Sequence, residues 1–192
     1  MNVVTDEDWR DIRQSLDGDE EAYARLIARY QPIIAGQMWR FSRDIATVEE
    51  LVQEVFVEAY LSLKRFAGKA PFEHWLRRIA TRVGYRHWKH KARDRDRREA
   101  RETHRLEIGG APHDASPTEA GEFLHVILEQ LPPEDRLVLS LHYFEQLDTR
   151  EIAERMGWTR SLVKVRAHRA RKKLKTMLEE AGYGPPGQSE SA

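Results

Sequence analysis

The chain has 192 residues, 33% of them charged and 40% hydrophobic, with 32 basic and 32 acidic side chains and no cysteine. That length suits one ordinary domain or two small ones. The absence of cysteine excludes disulfide staples and thiolate metal sites and fits a reducing cytoplasm, while no apolar run approaches the roughly 18 residues of a membrane span.

The start, MNVVTDEDWRD, is acidic and lacks an apolar signal core, so secretion is not expected. From there nearly every long segment reads as helix, and none alternates as a strand over a useful length. After the turn-like Asp17-Gly18, residues 19–41 carry Tyr23, Leu26, Ile27, Tyr30, Ile34 and Met38 at spacings of three and four, one apolar stripe. Pro32 is expected to interrupt and kink it. Thr47 is expected to cap the next helix, with Glu50 as its capping-box partner. Leu51, Val55, Ala59 and Leu63 then point inward, and Glu49, Glu50, Gln53, Glu54 and Glu58 line the outer face. Spacing alone leaves two readings of that face open: a solvated acidic surface, or a dock for a basic protein.

Gly68 and Pro71 mark a loop, AGKAP, and a helix is predicted from near Phe72, with Trp75, Leu76, Ile79, Ala80, Val83 and Trp88 on its apolar side. Here Trp75, Tyr85 and Trp88 interleave with Arg77, Arg78, Arg82, Arg86 and Lys89. Exposed rings beside cations suit unstacked bases, which stack while their phosphates meet charge. Trp75 and Trp88 are expected in the core, leaving Tyr85 and the arginines for contact. His87 and His90 have a permissible metal spacing but no evident third ligand, and cations surround them, so no metal or other cofactor is expected. No nucleophile–base constellation or Gly-rich phosphate loop appears, and the chain does not read as an enzyme.

Past His90, KARDRDRREARETHR has almost no apolar residue and reads as either a solvated helix extension or a disordered arm. LEIGGAPHDASPTE reads as a linker. Helical periodicity resumes at Phe123, Val126, Ile127 and Leu131; Pro132-Pro133 ends that helix and opens another with the stripe Leu137, Leu141 and Phe144. TREIAERMGWTRSLVKVRAHRARKKL then has the form of a helix-turn-helix. Ile152, Ala153 and Met156 make an apolar face, Gly157 a left-handed stop, and Thr159 or Ser161 the cap of a second helix. Val163, Ala167, Ala170, Leu174 and Met177 face inward on that second helix. From Gly182 the composition is that of a disordered tail. The expected architecture is all-α: a helical domain over 1–92, a flexible basic and polar linker over 93–118, a helix-turn-helix domain over 119–180 and a tail over 181–192.

The zero net charge hides a segregation. Residues 1–64 hold 7 basic and 13 acidic side chains, a balance of −6, and residues 75–105 hold 12 and 4, a balance of +8. Residues 106–159 return to −8, with 3 against 11, and residues 160–175 carry eight cations and no acid. On that last helix Ser161, Lys164, Val165, His168 and Lys172 project away from the inward stripe, flanked by Arg160, Arg169 and Arg171. A helix in a major groove needs this layout, long cations for phosphates and a few central side chains for base edges. Such charge is neutralised by phosphates with release of counterions. A dimeric regulator on palindromic DNA would share this unit but would leave the first body unexplained. A nuclease would need clustered acids for metal ions.

Four stretches, GDEEAYARLIARYQP, EELVQEVFVEAYLSLKRFAGKAPFEHWLRRIA, LPPEDRLVLSLHYFEQL and the helix-turn-helix, together resemble the extracytoplasmic-function sigma factors of bacterial RNA polymerase in order and spacing. The resemblance implies a factor that binds core polymerase and directs promoter-specific initiation in the cytoplasm. Leu51, Gln53, Glu54 and Glu58 would dock on the β′ clamp coiled coil. The loop Phe66 to Pro71 and the following helix would open the −10 element and hold a flipped non-template base, with Phe66, Lys69, Arg78, Arg82, Tyr85 and Arg86 as the contacts. Thr159, Arg160, Ser161, Lys164, Val165, His168, Arg169 and Lys172 would read the −35 element, with their domain seated on the β flap. An anti-sigma factor is the implied inhibitor. Arg82 stands where the family commonly has Asn, and Val165 where a small polar residue is frequent.

Overall fold

The computed structural model describes residues 4–99 and 117–183, and among them every regular element is a helix. They form two compact units, divided between His90 and Lys91. None of their helices is long and apolar enough to cross a membrane. Residues 100–116 of the expected linker and 184–192 of the expected tail lie outside the described residues.

The first unit opens with a helix that apolar periodicity does not reveal, α1 (Asp6–Leu16). Thr5 caps it, its hydroxyl accepting from the Asp8 N–H at 3.1 Å. The inward face of α1 holds Ile12 beside Asp8, Asp11 and Ser15, all buried, so the pattern looks polar. The acids are satisfied by the next helix, α2 (Glu20–Met38). Arg29 donates to Asp8 at 2.6 Å and to Asp11 at 2.9 Å, Arg25 donates to Asp11 at 3.0 Å, and the Tyr30 hydroxyl donates to Asp8 at 2.7 Å. Burial alone would push the Asp11 carboxyl up; the Arg29 and Arg25 guanidiniums outweigh it and hold the group below the usual carboxylate range.

Contrary to expectation, α2 runs through Pro32 without a break. Leu26, Tyr30, Ile34 and Met38 are buried on both sides of the proline, and tertiary packing of that stripe offsets the lost backbone bond. The cap of α3 (Ile45–Ser62) is also displaced: it is Asp44, not Thr47. The Asp44 carboxylate accepts from the Thr47 N–H at 2.8 Å and from its hydroxyl at 2.6 Å, so Thr47 is a donor one turn inside the helix. A 3₁₀ turn, Leu63–Arg65, leads to the loop and to α4 (Phe72–Glu99). Trp88 is buried as expected, its indole N–H donating to the Phe41 carbonyl at 2.8 Å. Trp75 is only half-buried, in a ring cluster with Phe66 and Phe72. The basic run after His90 is helical as far as Glu99, which selects the helix extension over the arm for that portion.

The second unit contains α5 (Pro117–Glu129), α6 (Pro133–Tyr143), α7 (Thr149–Met156) and α8 (Arg160–Glu180). Ile127, Leu137, Leu141, Ile152 and Val163 are at most 1% exposed and form its centre. Phe144 does not join them; it is 50% exposed. It closes α6 by donating its N–H to the Ser140 carbonyl, after which the chain turns through Gln146 at φ 55, so the helical stripe ends one turn earlier, at Leu141. Asp148 and Glu151 form a reciprocal capping box on α7. Gly157 at φ 69 supplies the left-handed stop, and Thr159 caps α8 by accepting from the Leu162 N–H at 3.2 Å. Buried Ala167 and Ala170 on α8 leave room for the close approach of neighbouring helices in this unit.

Candidate nucleic-acid interface

The eight cations of α8 divide by helical angle. Arg166 turns inward: its guanidinium lies 3.5 Å from Asp135 and 3.9 Å from Glu134, and 5.4 Å from the centre of the Trp158 ring. Lys173 adds a second cation 3.7 Å from Asp135, whose carboxylate is buried. Lys175 pairs with Glu179 one turn on, at 3.6 Å. Arg160 lies beside the first turn of α7, donating to the Thr149 hydroxyl at 3.3 Å. The concentrated charge is therefore partly compensated inside the unit. Lys164, Arg169, Arg171 and Lys172 are exposed and have no acidic partner among the described residues. Thr159, Ser161, Val165 and His168 are exposed beside them, and Val165 is 46% exposed. The predicted outward face carries Ser161, Val165 and His168 between exposed cations.

The basic helix of the first unit divides in the same way. Arg77 is held by Glu73 at 2.7 Å. Arg78 and Arg82 are exposed without an acidic partner among the described residues, and they share a stripe with Tyr85 and Lys89 at spacings of four, three and four. The Lys89 ammonium lies 5.6 Å from the centre of the Tyr85 ring. Lys69 is exposed on the preceding loop.

Three of the expected contacts stand differently. Phe66 is 9% exposed and packs on Phe72 and Trp75 at centroid separations of 5.3 Å, so it supports the loop from beneath. Leu51 is 4% exposed and belongs to the core, as its own apolar stripe demands. Arg86 turns toward α3, where it bridges Glu54 at 2.6 Å and Glu58. That bridge ties an expected DNA contact to two expected polymerase contacts. Beside Gln53 and Glu54, α3 also exposes Val57 at 58% and Leu61 at 76%. These two residues continue the i, i+4 row from Gln53; an apolar strip within an acidic face was hidden because the inward stripe already accounted for the helix.

Three comparisons bear on this arrangement. Residues 26–94 match the family Sigma-70 region 2, and residues 124–174 match Sigma-70, region 4. The chain is 30% identical to the RNA polymerase sigma-H factor of Pseudomonas aeruginosa over 93% of its own length and 100% of that protein's. It is also 30% identical to the ECF RNA polymerase sigma-E factor of Escherichia coli, over 84% of this chain and 89% of the other. Among solved structures it is similar to CnrH in complex with the cytosolic domain of CnrY, with a TM-score of 0.57 and 27% identity over 91% of this chain and 99% of that one. Region 2 followed by region 4 defines the class, a two-module initiation factor of the sigma-70 type. The chain belongs to the extracytoplasmic-function sigma factors, and as such it supports promoter-specific transcription initiation by RNA polymerase.

Proposed function

We propose a division of labour between the two units, which correspond to a core-binding and melting domain over 1–92 and a −35-reading domain over 119–180. The second unit reads −35 duplex with the outward face of α8: Lys164, Arg169 and Lys172 meet phosphates, and Ser161, Val165 and His168 reach base edges. Thr159 and Arg160 set the start of that helix against α7. The first unit captures unstacked −10 bases at the 66–71 loop and along Arg78, Arg82 and Tyr85. Its α3 face, with Gln53, Glu54, Val57, Glu58 and Leu61, docks on the β′ clamp coiled coil, and the second unit rests on the β flap.

Each unit alone binds DNA weakly. Polymerase holds both at promoter spacing, so the second contact becomes effectively intramolecular. Capture of unstacked bases then offsets an unstacking cost of a few kcal/mol per base. The factor works in the cytoplasm, without catalysis of its own, and is restrained by an anti-sigma protein. The capture of a solved relative by the cytosolic domain of another protein supports such a partner.

The observation that carries this reading is the sorting of cations on α8, where the inward ones are matched by Glu134 and Asp135 and the outward ones are left for phosphates. Run-off transcription with core polymerase tests it. Scrambling the −35 element should abolish most of the advantage of wild type over a Lys164→Ala/Arg169→Ala variant. Equal loss on both templates, or failure of the purified chain to bind core polymerase, would overturn it.

A further inference from the structure

Gly68, in the middle of the 66–71 loop, sits at φ +66, and a Cβ built on it would overlap the indole of Trp9, with Cη2 only 2.9 Å away. Trp9 projects from α1, a helix with no place in the promoter contacts described so far. Its ring also lies 5.7 Å from that of Phe66, at 44°, and the Arg13 guanidinium lies 5.6 Å from its centre. The loop is thus held on one side by Phe72 and Trp75 through Phe66, and on the other by the Trp9 indole.

The helix that carries the indole is itself held in place. Residues on either side of Trp9 along α1, Asp8 and Asp11, are the buried acids gripped by Arg25, Arg29 and Tyr30. Two buried, charge-assisted contacts one turn apart leave α1 little freedom to roll or slide on α2.

The geometry points to Trp9 as a positioning residue for the base-capturing loop: the Asp8–Asp11–Arg29 network locks α1, and the locked indole sets the height and path of the backbone at Gly68. Trp9 touches no DNA. It acts by keeping the loop in the shape that receives an unstacked base before one arrives, so the ordering cost is not met during melting. Gly68 is required on two grounds, a left-handed backbone and the absence of a Cβ facing the indole. This rests on the assignment of the 66–71 loop to −10 capture.

The test uses full-length protein assembled with core polymerase on a promoter carrying 2-aminopurine in the non-template −10 strand. Trp9→Ala and Gly68→Ala should each lower the rate of opening by about tenfold. Affinity for core polymerase and −35-dependent duplex binding should stay near wild type, and the unfolding midpoint should fall only modestly. Capture of the unpaired base on a template with a pre-melted, mismatched −10 element should fall by the same factor, because the defect lies in capture. Trp9→Phe, which keeps a ring against the loop, should retain opening within about threefold. Gly68→Ala should cost less in the Trp9→Ala background than alone, since the overlap is then gone.

Lys69→Ala and Arg78→Ala separate the two ideas. If they slow opening while Trp9→Ala and Gly68→Ala do not, the brace is wrong and the loop assignment stands. If none of the four slows opening, the loop assignment fails and the brace with it. A Trp9→Ala variant that loses core affinity, duplex binding and thermal stability together with opening has a structural role only, and that also overturns the proposal.

Discussion

Arg29 of α2 and Lys164 of α8 are both cations on amphipathic helices, yet they serve opposite ends. Arg29 bridges two carboxylates that are at most 4% exposed, and its charge is consumed within the fold. Lys164 faces water with no acid beside it among the described residues. Within α8 the same contrast recurs one and a half turns apart, between Arg166 and Lys172. Net charge says nothing about which cations are available to phosphate; the acids on the neighbouring helix decide it.

The largest way to break this contrast is Arg29→Ala. It leaves Asp8 and Asp11 buried with Arg25, Tyr30 and, at 3.9 Å, Arg10 as their remaining partners, and it should cost about 3 kcal/mol of stability. Urea unfolding measures that cost. The salt dependence of promoter binding should keep its wild-type slope, because Arg29 meets no phosphate. Next come Lys164→Ala and Arg169→Ala, each weakening −35 binding by about 1–3 kcal/mol and reducing the log–log salt slope by about one. Their unfolding midpoints should not move. Arg166→Ala lies between the two cases: it should lower the unfolding midpoint and leave the salt slope intact, and a change of slope would show that its charge reaches DNA after all.

Helical periodicity made α2, α3, the first half of α4 and the helix-turn-helix legible, because in each an apolar stripe repeats at three and four. It missed α1, whose inward face is built from Asp8, Asp11 and Ser15 around Ile12 and is apolar only once Arg25 and Arg29 have neutralised it. It placed the outward face of α8 by subtraction from the inward stripe. It could not say which of the eight cations are matched, since the acids that hold Arg166 stand on another helix. Leu51 and Phe66 entered the candidate site on family resemblance, which does not distinguish buried positions of a motif from exposed ones, and both are buried. The Arg86 bridge to Glu54 and Glu58 joins positions 28 and more residues apart, and no local pattern signals it.

A smaller effect sharpens the contrast at the turn of the helix-turn-helix. Thr159→Ala removes the cap of α8 and should cost about 1 kcal/mol of stability. The loss should pass to −35 binding as well, because the cap fixes the first turn that carries Arg160 and Ser161. Thr159→Ser, which keeps the hydroxyl, should restore both; restoration of stability without binding would mean that the methyl group, rather than the cap, serves recognition.

The last effect concerns acids, and in wild type at neutral pH it is hidden, because it appears only as a dependence on pH. In the second unit a hydrogen bond with His125, opposed by burial and aided by the Lys91 ammonium at 2.9 Å and then by the Arg136 cation, holds the Glu129 carboxyl down at about 2 from an ordinary 4.5. A carboxyl depressed by folding contributes its full stabilisation above its unfolded pKa and loses it as pH falls toward the folded value. Wild-type protein should therefore lose this contribution between about pH 4.5 and 2. Glu129→Gln has already lost it at neutral pH and should show a shallower decline over that window. Urea midpoints at pH 6, 4 and 3 measure the difference. Parallel declines in the two proteins would mean that Glu129, unlike Asp8 and Asp11 of the first unit, is no more restrained than a solvated carboxylate.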